Sequence, residues 1–152
     1  MQPGLDFIGI SAGAVIVDAD GRLFLACRGD GARDDQNKWE FPGGSVRMFE
    51  NREFAAKRNI RDKYGLEVDV VNLLGVYDVI DSYQGDHWVS TTFICRCVSG
   101  QPRIMIPEKC SEIGWFTPDQ VDVLDLSRIS RLNWVDWKKR CFSLRTPFTT
   151  AK

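Results

Sequence analysis

Three polar residues near the middle of the chain, Asn59, Asp62 and Lys63, have the spacing with which a helix brings side chains together. Residues at helix positions i, i+3 and i+4 project from one face. Three carboxylates placed in this way could hold Mg²⁺ or Mn²⁺ against substrate phosphates, and the metal would activate the attacking water. Here only Asp62 is a carboxylate. Asn59 offers a weak carbonyl ligand, and Lys63 is a cation.

These residues lie within a longer motif that runs from residue 44 to residue 66. Its order and spacing resemble the Nudix signature, G-x5-E-x7-R-E-U-x-E-E-x-G-U, in which U is a bulky aliphatic residue. The positions that match in register are Gly44, Glu50, Arg58, Ile60, Gly65 and Leu66. Upstream, the run WEFPGG (39–44) is similar to the lead-in of MutT-like members. Downstream, EIGWF (112–116) resembles the strand that closes this fold, so the resemblance covers roughly residues 8 to 140.

The resemblance implies roles for five residues of this chain. It gives the catalytic positions of the signature to Glu50, Arg58 and Asp62, and we expect Glu50 and Arg58 to form a salt bridge that positions the loop rather than reacts. It implies Mg²⁺ or Mn²⁺ as the cofactor, with Asp62 and Glu112 as candidate ligands. Gly44 begins the loop–helix unit, where the lack of a side chain lets the backbone approach a ligand.

The sequence departs from the family at the metal positions, where the family has three glutamates. Asn59 and Lys63 replace two of them, and Asp62 is a shortened version of the third. Like charges about 4 Å apart repel by several kcal/mol at a surface-like dielectric, so Lys63 disfavours a divalent ion. With Arg52, this helix face is net positive where that of the family is strongly negative.

Three functions are compatible with these departures. In the first, Lys63 and Arg52 supply the charge of the metal, and the protein recognises a nucleoside diphosphate linked to another group, such as ADP-ribose, with weak or absent hydrolysis. In the second, it is an active Mg²⁺-dependent pyrophosphohydrolase in which Asp62 acts with Glu40, Glu108 or Glu112. In the third, it is an interaction module with a vestigial cleft, and exposed Trp134 and Trp137 bind a partner.

Aromatic residues are candidates for contacting the rest of the ligand, because a base can stack on them. We select Trp39, within the lead-in run, and Trp88, which follows the turn at Gln84–Asp86 and should lie at the mouth of a sheet. Together with Gly44, Arg52 and Lys63, they form the predicted substrate-binding set. An aromatic residue on an alternating strand more often belongs to the core.

The pattern of apolar residues predicts an α/β fold with a mixed β-sheet sandwiched between helices. Gly65 is suited to end the first helix, and Thr117-Pro118 to begin the second. A last helix should bury Ile129, Leu132 and Val135. We expect one domain over residues 7–140 and a C-terminal tail over 141–152. Strands are predicted at 8–17, 23–26, 38–41, 68–79, 88–98 and 113–116, and helices at 50–64, after 117 and at 126–140.

The composition limits the choice of partners. A formal net charge of −1 over 152 residues gives no electrostatic case for binding DNA or a membrane surface. The five cysteines lack paired metal-binding spacing, and no signal peptide or membrane span is recognisable. We therefore expect a cytoplasmic protein with a nucleotide-type ligand, and the sequence is compatible with a homodimer.

Overall fold

The computed structural model describes residues 1–145, with side chains to residue 141. Seven strands and three helices make up this part of the chain. The strands are β1 (Gly9–Val17), β2 (Leu23–Arg28), β3 (Trp39–Glu40), β4 (Gly43–Ser45), β5 (Glu67–Asp81), β6 (Asp86–Ser99) and β7 (Cys110–Phe116). The helices are α1 (Arg52–Tyr64), α2 (Pro118–Asp122) and α3 (Arg128–Arg145).

The sheet is mixed, as predicted. Its order is β3-β2-β1-β6-β5, with β4 added to β1 and β7 added to β2. β1 runs parallel to β6, and the other pairs are antiparallel. The strands predicted at 8–17 and 23–26, β1 and β2, are joined at a single pair, Val17 and Leu23, because β1 then pairs with β4 and β6 while β2 pairs with β3 and β7. The two strands therefore diverge from their turn.

Helix α1 has the boundaries that its capping residues dictate. The Asn51 side chain accepts a hydrogen bond from the Phe54 backbone at 2.7 Å, so the helix begins two residues later than predicted. Gly65 ends it in the left-handed conformation, with φ of 71°, as predicted. The buried face packs on the sheet through Ala55, Ala56, Ile60 and Tyr64.

The predicted orientation of α3 was wrong. Trp134 is only 5% exposed, whereas Leu132 and Val135 are 45% and 48% exposed. Trp137, which we expected at the surface, packs against the same apolar cluster as Trp134. The sequence feature that favoured an interaction module, a pair of exposed tryptophans, is therefore absent from this helix.

Buried polar residues explain the error. Ser130 and Asn133 lie on the same helix face as Trp134 and are 0% and 3% exposed. Ser130 Oγ accepts from the Phe41 backbone at 3.0 Å, and Asn133 Oδ1 accepts from Thr92 Oγ1 at 2.9 Å. Hydrogen bonding lets such groups be buried, so the face that packs on the sheet is not the most apolar one.

Two further predicted boundaries change. Gly43 and Gly44, which follow the strand predicted at 38–41, belong to a further strand, β4, which pairs with Gly13 and Ala12 of β1. Helix α3 continues to Arg145, past the predicted domain boundary at residue 140, and the rest of the predicted tail lies outside the described residues. Within residues 1–145, no helix is long and apolar enough to cross a membrane.

Candidate functional site

A cavity of about 520 Å³ opens where β1 diverges from β2 and β3. Its walls come from β1, from residues 40–45 and from the β2–β3 loop, and the end of α1 and the beginning of α3 complete it. Five cationic side chains and three acidic ones line it. They are Arg28, Arg33, Lys63, Lys109 and Arg128, with Asp34, Asp35 and Glu40.

The salt bridge predicted between Glu50 and Arg58 is present beside this cavity. Arg58 donates from Nε to Glu50 Oε2 at 2.6 Å and from Nη2 to Oε1 at 2.8 Å. Arg58 also donates to the Ser45 carbonyl at 3.0 Å, and the Arg47 backbone donates to Glu50 at 3.0 Å. The hydrogen bonds from Arg58 lower the pKa of Glu50 to about 2. The pair thus joins the loop after β4 to α1.

Asn59 links α1 to β4. The side chain is buried, and its Nδ2 donates to the carbonyl oxygens of Ala55 at 2.9 Å and Ser45 at 3.2 Å. A β-carbon on Gly44 would collide with Asn59 Oδ1, so the glycine allows the helix to lie directly against the strand. At this signature position the side chain is therefore engaged as a structural donor.

Lys63 points into the cavity wall from the last turn of α1. Its Nζ donates to the Gly43 carbonyl at 2.6 Å, and a β-carbon on Gly44 would lie 2.8 Å from the same nitrogen. Burial lowers the pKa of the Lys63 amine; the Glu40 carboxylate opposes this effect, and the Lys109 ammonium adds to it. A cation is thus held against a backbone carbonyl.

The candidate metal ligands do not converge. The Asp62 side chain is 54% exposed, and its nearest cationic partner is Arg61, at 3.8 Å. Glu112 is an exposed residue of β7, and neither Asp62 nor Glu112 lines the cavity. Glu40 does line it, but pairs with Arg28 at 2.6 Å. No group of three or more His, Cys, Asp or Glu within the described residues could hold a metal ion. The donor set therefore does not fit a divalent cation.

Two residues of the predicted substrate-binding set lie elsewhere. Arg52 donates from Nη1 to Thr91 Oγ1 at 3.0 Å and does not line the cavity. It lies in the first turn of α1, whereas Lys63 lies in the last turn. Trp39 packs edge-on against Phe116, with ring centroids 5.0 Å apart, and belongs to the apolar core. Trp39 is therefore a core residue, as is usual for an aromatic residue on an alternating strand.

Trp88 does line the cavity, as do Gly44 and Lys63. The Trp88 indole is seated against two glycines, Gly4 and Gly9, where any β-carbon would clash with the ring. The Arg33 guanidinium carbon lies 5.0 Å from the ring centroid. The side chain is therefore held in place, and one face of its ring is covered.

The cavity also contains an arginine–aspartate network that the sequence analysis did not predict. Arg28 pairs with Asp34 and Glu40, both at 2.6 Å, and although burial lowers the pKa of Arg28, these carboxylates raise it overall. Arg128, at the start of α3, contacts four carboxylates at 2.9 to 3.6 Å. They belong to Asp34, Asp35, Asp81 and Asp86. The only sequence signal for this network was the charged loop at residues 29–37 (GDGARDDQN), and that composition predicts no more than a polar surface loop.

Comparisons with known proteins agree with this architecture. A family model described as NUDIX domain matches residues 8–138. The chain is 34% identical over 112 residues to a MutT-like protein of Streptomyces ambofaciens, covering 74% of this chain and 66% of that protein. A CTP pyrophosphohydrolase of Escherichia coli is 37% identical over 57 residues, covering 38% of this chain and 42% of the relative. The chain thus matches less than two thirds of the length of each relative.

Solved structures are similar over more of the chain. A MutT NUDIX hydrolase from Burkholderia pseudomallei has a TM-score of 0.79 at 31% identity, covering 86% of this chain and 98% of the other. A MutT protein from Methanosarcina mazei has a TM-score of 0.75 at 17% identity, covering 92% and 98%. At 17% identity the likeness supports the fold alone.

Proposed function

Since the NUDIX domain model matches most of the chain, the protein belongs to the Nudix family, and we propose that it binds a nucleoside diphosphate linked to another group, with weak or absent hydrolysis. Nudix hydrolases generally use divalent metals such as Mg²⁺ or Mn²⁺. Relatives of this chain include proteins named RNA pyrophosphohydrolase and CTP pyrophosphohydrolase. The ligand that we propose is of the nucleotide type, as for these relatives, but it binds without a divalent metal.

The hydrogen bond from Lys63 to the Gly43 carbonyl carries this proposal. It places a cationic nitrogen on the cavity wall, at a signature position where the family has a glutamate. A second cationic residue, Lys109, lines the same cavity. Within residues 1–145, neither lysine has a carboxylate within ion-pair distance, whereas Arg28 and Arg128 are already paired. The two lysines are therefore available to a phosphate.

The same nitrogen argues against hydrolysis. Two unit charges 4 Å apart interact by about 4 kcal/mol at an effective dielectric constant of 20, and a divalent ion doubles the repulsion from a lysine. Asp62 cannot offset it, because its side chain is 54% exposed and does not line the cavity. The bound phosphates would thus contact the Lys63 ammonium, which cannot activate water as a metal ion does.

Isothermal titration calorimetry with ADP-ribose, in EDTA and again in Mg²⁺, tests the proposal. We expect equal affinity in the two buffers, and little or no release of AMP after prolonged incubation with Mg²⁺. Binding that requires Mg²⁺, accompanied by turnover, would instead support a working hydrolase with an atypical ligand set. If the protein binds no member of a broad nucleotide panel, the proposed function is wrong.

A further inference from the structure

The segment before β1, residues 2–7, contributes to the cavity wall, and we call it the N-terminal strap. Gln2 and Pro3 of the strap line the cavity. The strap is folded by its own hydrogen bonds, since the Gln2 carbonyl accepts from the Asp6 backbone at 2.9 Å and the Asp6 carboxylate accepts from the Gln2 backbone at 2.6 Å. It is therefore an ordered unit that lies beside the cavity.

Few contacts hold the strap on the rest of the protein. Two hydrogen bonds join it to other segments within the described part of the chain. The Gly4 carbonyl accepts from the His87 backbone at 2.8 Å, and the Pro3 carbonyl accepts from Arg33 Nη1 at 3.3 Å. Gly4 is the one residue of the strap that is buried. A segment with so few buried contacts opens locally at a low cost in free energy.

The strap covers the Trp88 side chain with its one buried residue. Gly4 lies directly on the indole, because a β-carbon there would collide with Trp88 Nε1. The φ of Gly4 is 84°, in the left-handed region that glycine adopts without strain. A side chain at this position would therefore disfavour the closed strap in two ways, by contact with the ring and through the backbone.

Closure of the strap leaves a hydrogen-bond donor unused. Trp88 Nε1 is buried and has no hydrogen-bond partner in the part of the chain that the structure describes. A buried N–H without a partner carries a desolvation cost. When the strap opens, this N–H reaches water, and the gain offsets part of the contacts that are lost. The difference in free energy between the closed and the open strap is therefore small.

We propose that the N-terminal strap is a lid on the cavity, which opens to let a ligand enter or leave and otherwise lies closed on Trp88. Opening would remove Gln2 and Pro3 from the cavity wall and uncover the indole beside Arg33. A lid limits the rates of association and dissociation, because the ligand passes only while the lid is open. The opening does not depend on the ligand, whereas its effect on ADP-ribose rests on the proposed function.

Hydrogen exchange measured by NMR tests whether the strap opens. In wild-type protein without ligand, we expect the His87 amide and the Trp88 indole N–H to exchange faster than the amides in the centre of β6. Gly4→Ala should accelerate both by roughly tenfold, because a left-handed conformation is disfavoured for alanine. Gly21→Ala is the matched control. Gly21 has a φ of 79°, but a β-carbon there meets no atom within 4 Å, so this change should not alter either exchange rate.

Stopped-flow binding of ADP-ribose in EDTA tests whether the strap controls access. We expect the association and dissociation rate constants of Gly4→Ala both to exceed those of wild type, by roughly tenfold. The two rate constants of Gly21→Ala should equal those of wild type.

The outcomes separate the lid from the proposed function. If the His87 amide and the Trp88 indole N–H exchange as slowly as the centre of β6, the strap does not open locally and the lid is wrong. If Gly4→Ala accelerates exchange but leaves both rate constants for ADP-ribose unchanged, the strap moves without controlling access. That result overturns the lid and leaves the proposed function intact. If ADP-ribose binds none of the three proteins, the proposed function is wrong, and the exchange rates alone decide whether the strap opens.

Discussion

Replacing Lys63 with methionine removes one cationic nitrogen from the cavity and leaves an unbranched side chain. A hydrogen bond to a charged group contributes about 1.5–3 kcal/mol, and each 1.4 kcal/mol is tenfold in affinity. Since Lys63 is one of two lysines without a carboxylate partner in the cavity, we expect ADP-ribose to bind roughly 10- to 100-fold more weakly in EDTA. Lys57→Met, a change of the same type on the same helix but outside the cavity, should leave the affinity unchanged.

The stability of the Lys63→Met protein should change in a direction that separates binding from folding. Burial lowers the pKa of Lys63 in the folded state, so at neutral pH the folded protein carries a penalty for the charged amine. Between the folded pKa and the ordinary lysine pKa of 10.5, the unfolded chain binds more protons than the folded one. The free energy of unfolding of wild-type protein should therefore rise with pH across this window, relative to that of Lys63→Met.

The affinity of wild-type protein for ADP-ribose should fall over the same pH window, because the amine loses its charge. Thermal melts and calorimetry at matched pH values measure the two trends. The reasoning is refuted if Lys63→Met binds ADP-ribose as tightly as wild type, or if Lys57→Met is weakened to the same extent. As the pH rises, stability should increase and affinity should decrease. This combination is specific to a buried cation that also binds the ligand.

Two further predictions concern packing and metal. Trp134→Ala should cost about 3–5 kcal/mol in urea denaturation, whereas Leu132→Ala on the exposed face should cost far less, and similar costs would contradict the orientation of α3. The triple change Asn59→Glu, Asp62→Glu and Lys63→Glu should lower the melting temperature in EDTA, because a carboxylate cannot donate to the carbonyl oxygens that Asn59 binds. Mg²⁺ should restore part of that loss by binding the native state, and a melting temperature that does not respond to Mg²⁺ would show that the helix face cannot be rebuilt.

Local signals in the sequence were sufficient for the parts of the fold that depend on neighbouring residues. Gly65 ends α1 and Thr117 caps α2 as expected, since a left-handed C-cap and a capping box are determined within one helical turn. The salt bridge between Glu50 and Arg58, which the resemblance implied, is present as well.

Longer-range pairing was not predictable from these signals. The burial of Ser130 and Asn133 depends on partners far away in sequence, so the apolar stripe gave the wrong face of α3. Lys109 joins Lys63 only because the loop before β7 returns to the cavity, and no periodicity marks that loop. Arg52 shares helical spacing with the signature positions, yet its hydrogen bond to Thr91 holds it outside the cavity.

Titration of ¹⁵N-labelled protein with Mn²⁺, followed by paramagnetic broadening of amide resonances, tests most directly whether Lys63 has replaced the metal. The account predicts no saturable broadening centred on Gly43, Asn59 and Asp62, because a lysine nitrogen and a donor amide fill the positions that the family gives to carboxylates. Specific, saturable broadening of these amides at micromolar Mn²⁺ would contradict it and would restore the metal-dependent hydrolase.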